Sequence, residues 1–453
     1  MKTRHSPTIP GFEGTLIGPG DQRYDAHREV WNAMVDRRPA LIARCTSAAD
    51  VTAAIRHARD HDLEIGVKCG GHSVLGLSVP HDGLMIDLTP MDAVTVNADT
   101  RRATVGGGAL LRFLDRAAQT HGLATTAGNV SHTGVGGLTL GGGMGWLARQ
   151  AGLACDNVEA YTVVTADGEI TRATATDHPD LFWALRGGGG NFGVVTEFEF
   201  RLHPVAGHAL IVELTFDAED ANEPMRRWRD LLPDAPRPAT LTADAVTVDG
   251  RPMVVIGYVW VGDPDEGQNY LRTMRSLGTP RAESVRPMSY LELQSIGDGN
   301  HHHGRRRYAA GHYLTELSDA AIDAFLTRGA AGGAGVDWSQ VAAGGFQAYG
   351  GAIGEVPNED SAFSHRDALV EFFGGQTWAD PAEDEERMAS ARAFGAALEP
   401  FASGVYVNAL FEAGEAGVRR AYGDAKLVRL AALKRRYDPE NVFHLNQNIA
   451  PAP

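Results

Sequence analysis

The distribution of glycine constrains this chain more than any other feature. It has 54 glycines in 453 residues, well above the usual share of about 7%. They do not recur with the period of a collagen but cluster at 70–71, 106–108, 134–145 and 187–190. Consecutive glycines let backbone N–H groups point at one anion and let the chain come close to it. One such loop is an ordinary turn. All of them together point to one shared ligand that carries a diphosphate.

Between the loops the chain reads as small α+β units. Ser47 and Asp50 form a capping-box pattern ahead of VTAAIRHARDH, whose spacing is helical. LEIGV at 63–67 and LMIDL at 84–88 are short apolar strands, and ATVGGG at 103–108 is a strand that ends in glycines. ALLRFLDRAAQTHG at 109–122 predicts a helix closed by Gly122. VEAYTVVTADGEITRA at 158–173 predicts a hairpin with Asp167-Gly168 at its turn. DLFWALRGGGGNFGVVTEFEFRLHP gives a short helix, a glycine turn that reads on its own as a tight hairpin, and an alternating strand. Composition shifts after His203-Pro204, and again after about 404, where a helix is predicted over 416–436. The expected organisation is therefore 1–205, with a core at 36–205, then 206–403, then 404–453.

Composition excludes several classes. Lys+Arg 41 against Asp+Glu 57 leaves a net charge of −16, the wrong field for a nucleic-acid partner. Cys45, Cys69 and Cys155 are too far apart for a disulfide framework or a metal knuckle. The first fourteen residues lack the apolar run of a secretory signal, and no window reads as a membrane span. The expectation is a cytoplasmic protein with no membrane partner. His301-His302-His303 invites a metal reading, but three adjacent histidines cannot all face one ion. They are assigned to a surface loop, and no metal is expected. Gly143-Met144-Gly145-Trp146-Leu147-Ala148 matches G-x-G-x-x-A, yet it follows no clean strand and lacks the acidic residue about twenty positions on. A nicotinamide site is set aside, which leaves a flavin dinucleotide.

Gly70-Gly71-His72-Ser73 after a strand, the Gly134–Gly145 loop, RGGGGNFGVVT and the ending YDPENVFHLNQNIAP resemble the FAD-linked oxidases of the vanillyl-alcohol oxidase (PCMH) superfamily. They resemble its berberine bridge enzyme-like branch most. The resemblance covers most of 36–205 and 404–450 and is loose over 206–403. It implies an α+β chain in which both ends build a PCMH-type FAD-binding domain around a central substrate domain with an antiparallel sheet.

The resemblance also implies site residues. His72 stands at the position that bonds the 8α-methyl carbon of the flavin. A second tether, a cysteine in many relatives, would fall on Val130, so the expected FAD is monocovalent. By position Gly70, Gly71, Ser73, Gly128, Ser131, Gly134, Gly137, Gly143 and Val195 are flavin contacts, with Asn446 and Asn448 along the ring. Lys68 stands where relatives carry Arg and either reaches the diphosphate or stays solvated. Two residues compete as acid–base group. Tyr406 belongs to a Tyr-x-Asn segment with Asn408. Glu371 lies two residues before the glutamate position of some relatives, which here is Phe373, and so on the same strand face. A base tyrosine needs its pKa, about 10 when free, lowered by its surroundings. His312, Tyr308 and Tyr349 are further pocket candidates by the same analogy, and Trp146 and Trp183 are assigned to the core.

The implied reaction is hydride removal from a carbon bearing an alcohol or amine in a small organic molecule, with O2 as acceptor and hydrogen peroxide as product. A secondary metabolite is one such substrate. A dehydrogenase with another acceptor, and a flavin-bearing sequestering protein with little turnover, are the alternatives. Turnover without added flavin separates the first from the last.

Overall fold

Alternation along the strands decides how the largest sheet is used. The computed structural model describes residues 8–330, 336–412 and 414–453, so half of the N-terminal stretch read for a signal lies outside the described residues. Seven antiparallel strands run in the order Ala282–Ser289, His208–Asp217, Arg251–Val261, Ala239–Val248, Ala343–Ala348, Val370–Trp378 and Arg306–Leu314. Successive side chains point to opposite faces of a strand. Leu241, Ala243 and Ala245, with Ala348, Val370 and Phe372, are therefore buried on one face. Trp228, Phe325 and Phe394 cover it from the helices Asn222–Leu231, Asp319–Thr327 and Asp384–Leu398. The intervening residues face the other way. Register sets them in two rows, Thr242–Gln347–Glu371 and Asp244–Gly345–Phe373.

The residues before 205 build two smaller sheets. One holds Thr15–Ile17, Leu41–Arg44, Leu84–Asp87 and Ile65–Lys68, parallel except for its first pair. The other is antiparallel and holds Val94–Asn97, Arg102–Gly106, Val194–Arg201, Val158–Val164 and Ile170–Thr174. The expected local signals hold here. Ser47 Oγ accepts the N–H of Asp50 at 3.1 Å and starts the helix Ala48–Asp60. Gly168, at φ +82°, turns the hairpin after Val164.

Two expectations are corrected. The helix over 416–436 is two helices, Glu415–Tyr422 and Asp424–Tyr437, because Gly423 takes φ +72° between them. The glycine turn before Val194 is a 3-10 turn over Gly189–Phe192, not a hairpin.

That turn joins the two ends of the chain. Asn191 Oδ1 accepts the N–H of Ile449 at 2.9 Å, and the Asn191 carbonyl accepts from Lys434 Nζ at 2.8 Å. Lys434 is wholly buried and pairs with Asp438 at 2.6 Å. The same carboxylate accepts the N–H groups of Val442 and Phe443. Asp438→Ala removes the partner of a buried ammonium and orphans two backbone donors. Denaturant unfolding is expected to register a loss of about 4 kcal/mol, whereas Arg436→Ala at the exposed Asp180 pair is expected to cost under about 1 kcal/mol.

Candidate active site

A cavity of about 700 Å³ separates the glycine loops from the polar face of the seven-stranded sheet. Gly70, Gly71, Ser73, Gly128, Gly134, Gly137, Val195 and Asn446 all line it. The loops are pressed together there. A Cβ on Gly70 would meet the Gly134 nitrogen at 2.3 Å, and one on Gly134 would meet Cys69 Sγ at 2.4 Å. Gly137 and Gly190, by contrast, have open space where a Cβ would sit, so at these positions a ligand can lie against bare backbone.

Other predicted contacts are turned elsewhere. Lys68 is buried outside the wall, and its ammonium donates to the carbonyls of His27 and Glu29 at 2.5 and 2.8 Å. Ser131 donates its hydroxyl to Asp298 at 2.6 Å. Gly143 gives its N–H to the Tyr406 hydroxyl. Asn448 is absent from the wall, though its Oδ1 is buried with no partner. The wall, among the described residues, has no Lys or Arg side chain at all. An anionic ligand there is met by backbone N–H groups and imidazoles.

His72 is the most constrained side chain of the loop wall. Its ring stacks on Trp31 with centroids 5.1 Å apart and planes 16° apart, and Arg307 lies 4.3 Å over the same indole. His72 Nε2 is 2.8 Å from His132 Nδ1, and His72 Nδ1 is 3.4 Å from Thr133 Oγ1. Burial first, then the neighbouring His132 and His303, lower the His72 pKa to about 2. The imidazole is neutral at any working pH, as a nucleophile must be. His301-His302-His303 is thus no detached surface loop. His301 lines the cavity and takes the Trp31 indole N–H on its carbonyl at 2.6 Å. His303 closes a group with His72 and His132 whose nitrogens lie within 4.8 Å of one another, a spacing that could also hold a metal ion.

The sheet wall carries the cavity's titratable carboxylates and tyrosines. Glu371 lines the cavity and accepts the Tyr349 hydroxyl at 2.9 Å, which in turn lies 3.0 Å from the Tyr313 hydroxyl. Burial raises the Glu371 pKa to about 7. A solvated strand residue would show no such shift. The Tyr406 hydroxyl accepts from the Gly143 N–H and from Asn408 Nδ2, both at 2.9 Å. These donors favour its ionised form, but burial and the Glu371 charge outweigh them and raise its pKa. This is the opposite of the lowering a base tyrosine needs. Tyr349 joins the site through Glu371, whereas Tyr308 bonds Glu412 and His312 bonds the Gly395 carbonyl, both away from the cavity. Trp183 is core, but Trp146 is in the wall with its N–H unpartnered.

Sequence reading missed Trp31, His132, Asp244 and Gln347. Trp31 and His132 carry no local signal, since their partners are 41 and 60 positions away. Asp244 and Gln347 sit at alternate positions of strands, where the pattern says only that they share a face.

A dinucleotide cradle of touching glycine loops, a neutral histidine at one end and a half-buried carboxylate across the gap define a flavin-dependent oxidoreductase. Comparison with known proteins agrees. Residues 39–174 match the family model described as FAD binding domain, and residues 405–450 match the one described as berberine and berberine like. The chain is 32% identical over 452 residues to (R)-6-hydroxynicotine oxidase of Paenarthrobacter nicotinovorans, covering 97% of each. It is 30% identical over 450 residues to an FAD-linked oxidoreductase of Bacillus subtilis, again covering 97% of each. The structure of 6-hydroxy-D-nicotine oxidase from Arthrobacter nicotinovorans superposes with a TM-score of 0.86 at 29% identity, over 97% of this chain and 98% of that one. Glucooligosaccharide oxidase from Acremonium strictum, with its 6-S-cysteinyl, 8α-N1-histidyl FAD, gives 0.87 at 25% identity over 97% of each chain. This chain belongs to the berberine bridge enzyme-like family of FAD-linked oxidoreductases. No helix among the described residues is long and apolar enough to cross a membrane.

Proposed function

We propose that this enzyme takes hydride from a carbon that bears an alcohol or amine in a small organic substrate, with FAD bound through His72 alone and O2 as the acceptor. The observation that carries the reading is that one cavity joins His72, the glycine loops and Glu371. FAD supplies the hydride acceptor. His72 would hold it covalently, Gly137 and Gly190 would admit its diphosphate to bare backbone beside the packed Gly70, Gly71 and Gly134, and Asn446, whose Oδ1 is buried without a partner, would meet a polar edge of the ring. With Nε2–H donated to His132 Nδ1, the lone pair of His72 stays on Nδ1, where a long 3.4 Å contact from the Thr133 hydroxyl would give way to a bond with carbon. Val130 lies in the wall where relatives have a cysteine, and Cys69 turns its thiol to the Ala109 carbonyl, so a single bond is the reading.

Glu371 takes the proton from the substrate O–H or N–H on its carboxylate, held in position by Tyr349. Tyr406 is the second polar contact. With its oxygen fixed by two donors, its own proton is available to a substrate acceptor. Thr242, Gln347 and Phe373 shape the pocket from the sheet side. The three cysteines are unpaired, which supports work in a reducing cytoplasm.

The test is anaerobic mixing of the purified protein with a panel of small alcohols and amines while the flavin absorbance is followed. Bleaching, and peroxide on admitting air, are expected. Stoichiometric binding without bleaching would favour a sequestering protein. Bleaching that air does not reverse would indicate another acceptor. Glu371 acts deprotonated and titrates near pH 7, so the bleaching rate is expected to rise about tenfold per pH unit below that point and to level off above it. A rate flat from about pH 5 to 9 would remove Glu371 from the role.

A further inference from the structure

A second carboxylate faces the same cavity, and it has no part in the chemistry above. Asp244 stands on the central strand Ala239–Val248, in the wall opposite the glycine loops. Its neighbour across the ladder is Gly345, where a Cβ would lie 2.1 Å from Asp244 Oδ1. Any larger residue there would cover the carboxylate. No hydrogen bond or ion pair from a described residue reaches Asp244, and the nearest charge acting on it is another carboxylate, Glu213. Burial without a counter-charge raises its pKa to about 7.

A half-buried carboxylate left in a pocket without a cation is costly to the protein on its own. The cost is recovered when a ligand brings the missing charge. The cavity wall supplies none, since it holds no Lys or Arg. Beside Asp244, Gln347 has a buried Nε2 with no partner, while its Oε1 is held by Asn129 Nδ2 at 3.0 Å. Val130, Trp146 and Phe373 give the same wall apolar surface beside the polar Thr242 and Asn129.

We propose that Asp244 is the cation-binding subsite of this pocket and that the substrate is a protonated amine with an apolar body. The inference rests on the hydride-transfer reading and narrows it. Asp244 and Glu371 are two strands and two residues apart, about 12 Å between Cα atoms by sheet geometry. A substrate that engages both carries its ammonium at a distance from the group that Glu371 deprotonates. Asp244 therefore selects the substrate, and Glu371 works on it.

The experiment is calorimetric titration of the flavin-loaded protein with phenylpropylamine and with phenylpropanol, which match in shape and differ in charge. At about pH 8 the amine is cationic. The wild type is expected to bind the amine at least about tenfold more tightly than the alcohol. Asp244→Asn, which keeps the side-chain shape, is expected to abolish that preference by weakening the amine while the alcohol changes less than about twofold. Equal affinity of the two probes for the wild type, or no amine binding, would overturn the proposal without any variant. So would a preference that survives in Asp244→Asn. The titration needs no turnover, and flavin content is read from the same sample. A yellow protein that reduces its flavin with other substrates but ignores the charge would overturn the Asp244 subsite alone. A protein without flavin would overturn the hydride-transfer reading beneath it.

Discussion

Acid precipitation of the purified protein is expected to leave its yellow colour in the pellet, and His72→Ala is expected to release all of it to the supernatant. The argument is geometric. His72 is held between Trp31 and His132 in a single orientation, with one nitrogen occupied by His132 and the other toward Thr133. No cysteine is poised to replace it. Cys45 and Cys155 are buried, with pKa values driven far up by burial, and Cys69, pushed to about 11 by burial, is packed against Gly134. The variant is expected to fold and to take up FAD reversibly, because the glycine cradle is untouched. Colour that persists in the His72→Ala pellet would mean a different attachment residue. Colour lost from the wild-type pellet would mean no covalent bond.

Glu371→Gln is expected to slow anaerobic flavin reduction by about 10² to 10⁴. The amide keeps the shape of the side chain and can still accept from Tyr349, but it cannot take a proton at neutral pH. Loss of the pH dependence should accompany the loss of rate. Tyr406→Phe removes a hydroxyl whose ionisation burial already opposes, so its effect is expected to be about tenfold and to leave the pH profile in place. A Tyr406→Phe loss that matched or exceeded that of Glu371→Gln would exchange the two roles. Rapid-mixing absorbance separates these outcomes, and the flavin spectrum of each variant reports whether the cofactor is still seated.

The loop half of the site was legible because glycine leaves a direct trace. Where the backbone must touch a neighbouring loop, as at Gly70 and Gly134, no other residue fits, and the requirement stands in the chain as a run. The single flavin bond is expected on a similar ground, since Val130 stands where a thiol would be. The sheet half was less readable. Position along a strand gives the face but not what the face looks at, so Glu371 was equally compatible with solvent and with a closed pocket, and Asp244 gave no sign. Lys68 and Ser131 misled for a related reason. Their sequence neighbourhood is the cradle, but their side chains reach carbonyls at His27 and Glu29 and a carboxylate at Asp298, contacts that only the assembled chain provides. The three histidines at 301–303 were assigned to a surface loop. What could not be foreseen was that one of them would meet His72 from a segment about 230 positions away.

The clasp between Asn191 and the segment from Lys434 to Ile449 also sets an order of events during synthesis. The glycine loops leave the ribosome early, but the turn that carries Asn191 waits for a lysine and a tail made more than 240 residues later. Until then Asn191 lacks its partners, and the cradle is open along the edge that Asn446 and Gln447 will cover. Sealing of the cofactor site thus waits for the segment from Lys434 to Ile449, and a ribosome that has not yet released that segment would hold a protein whose flavin site is still open.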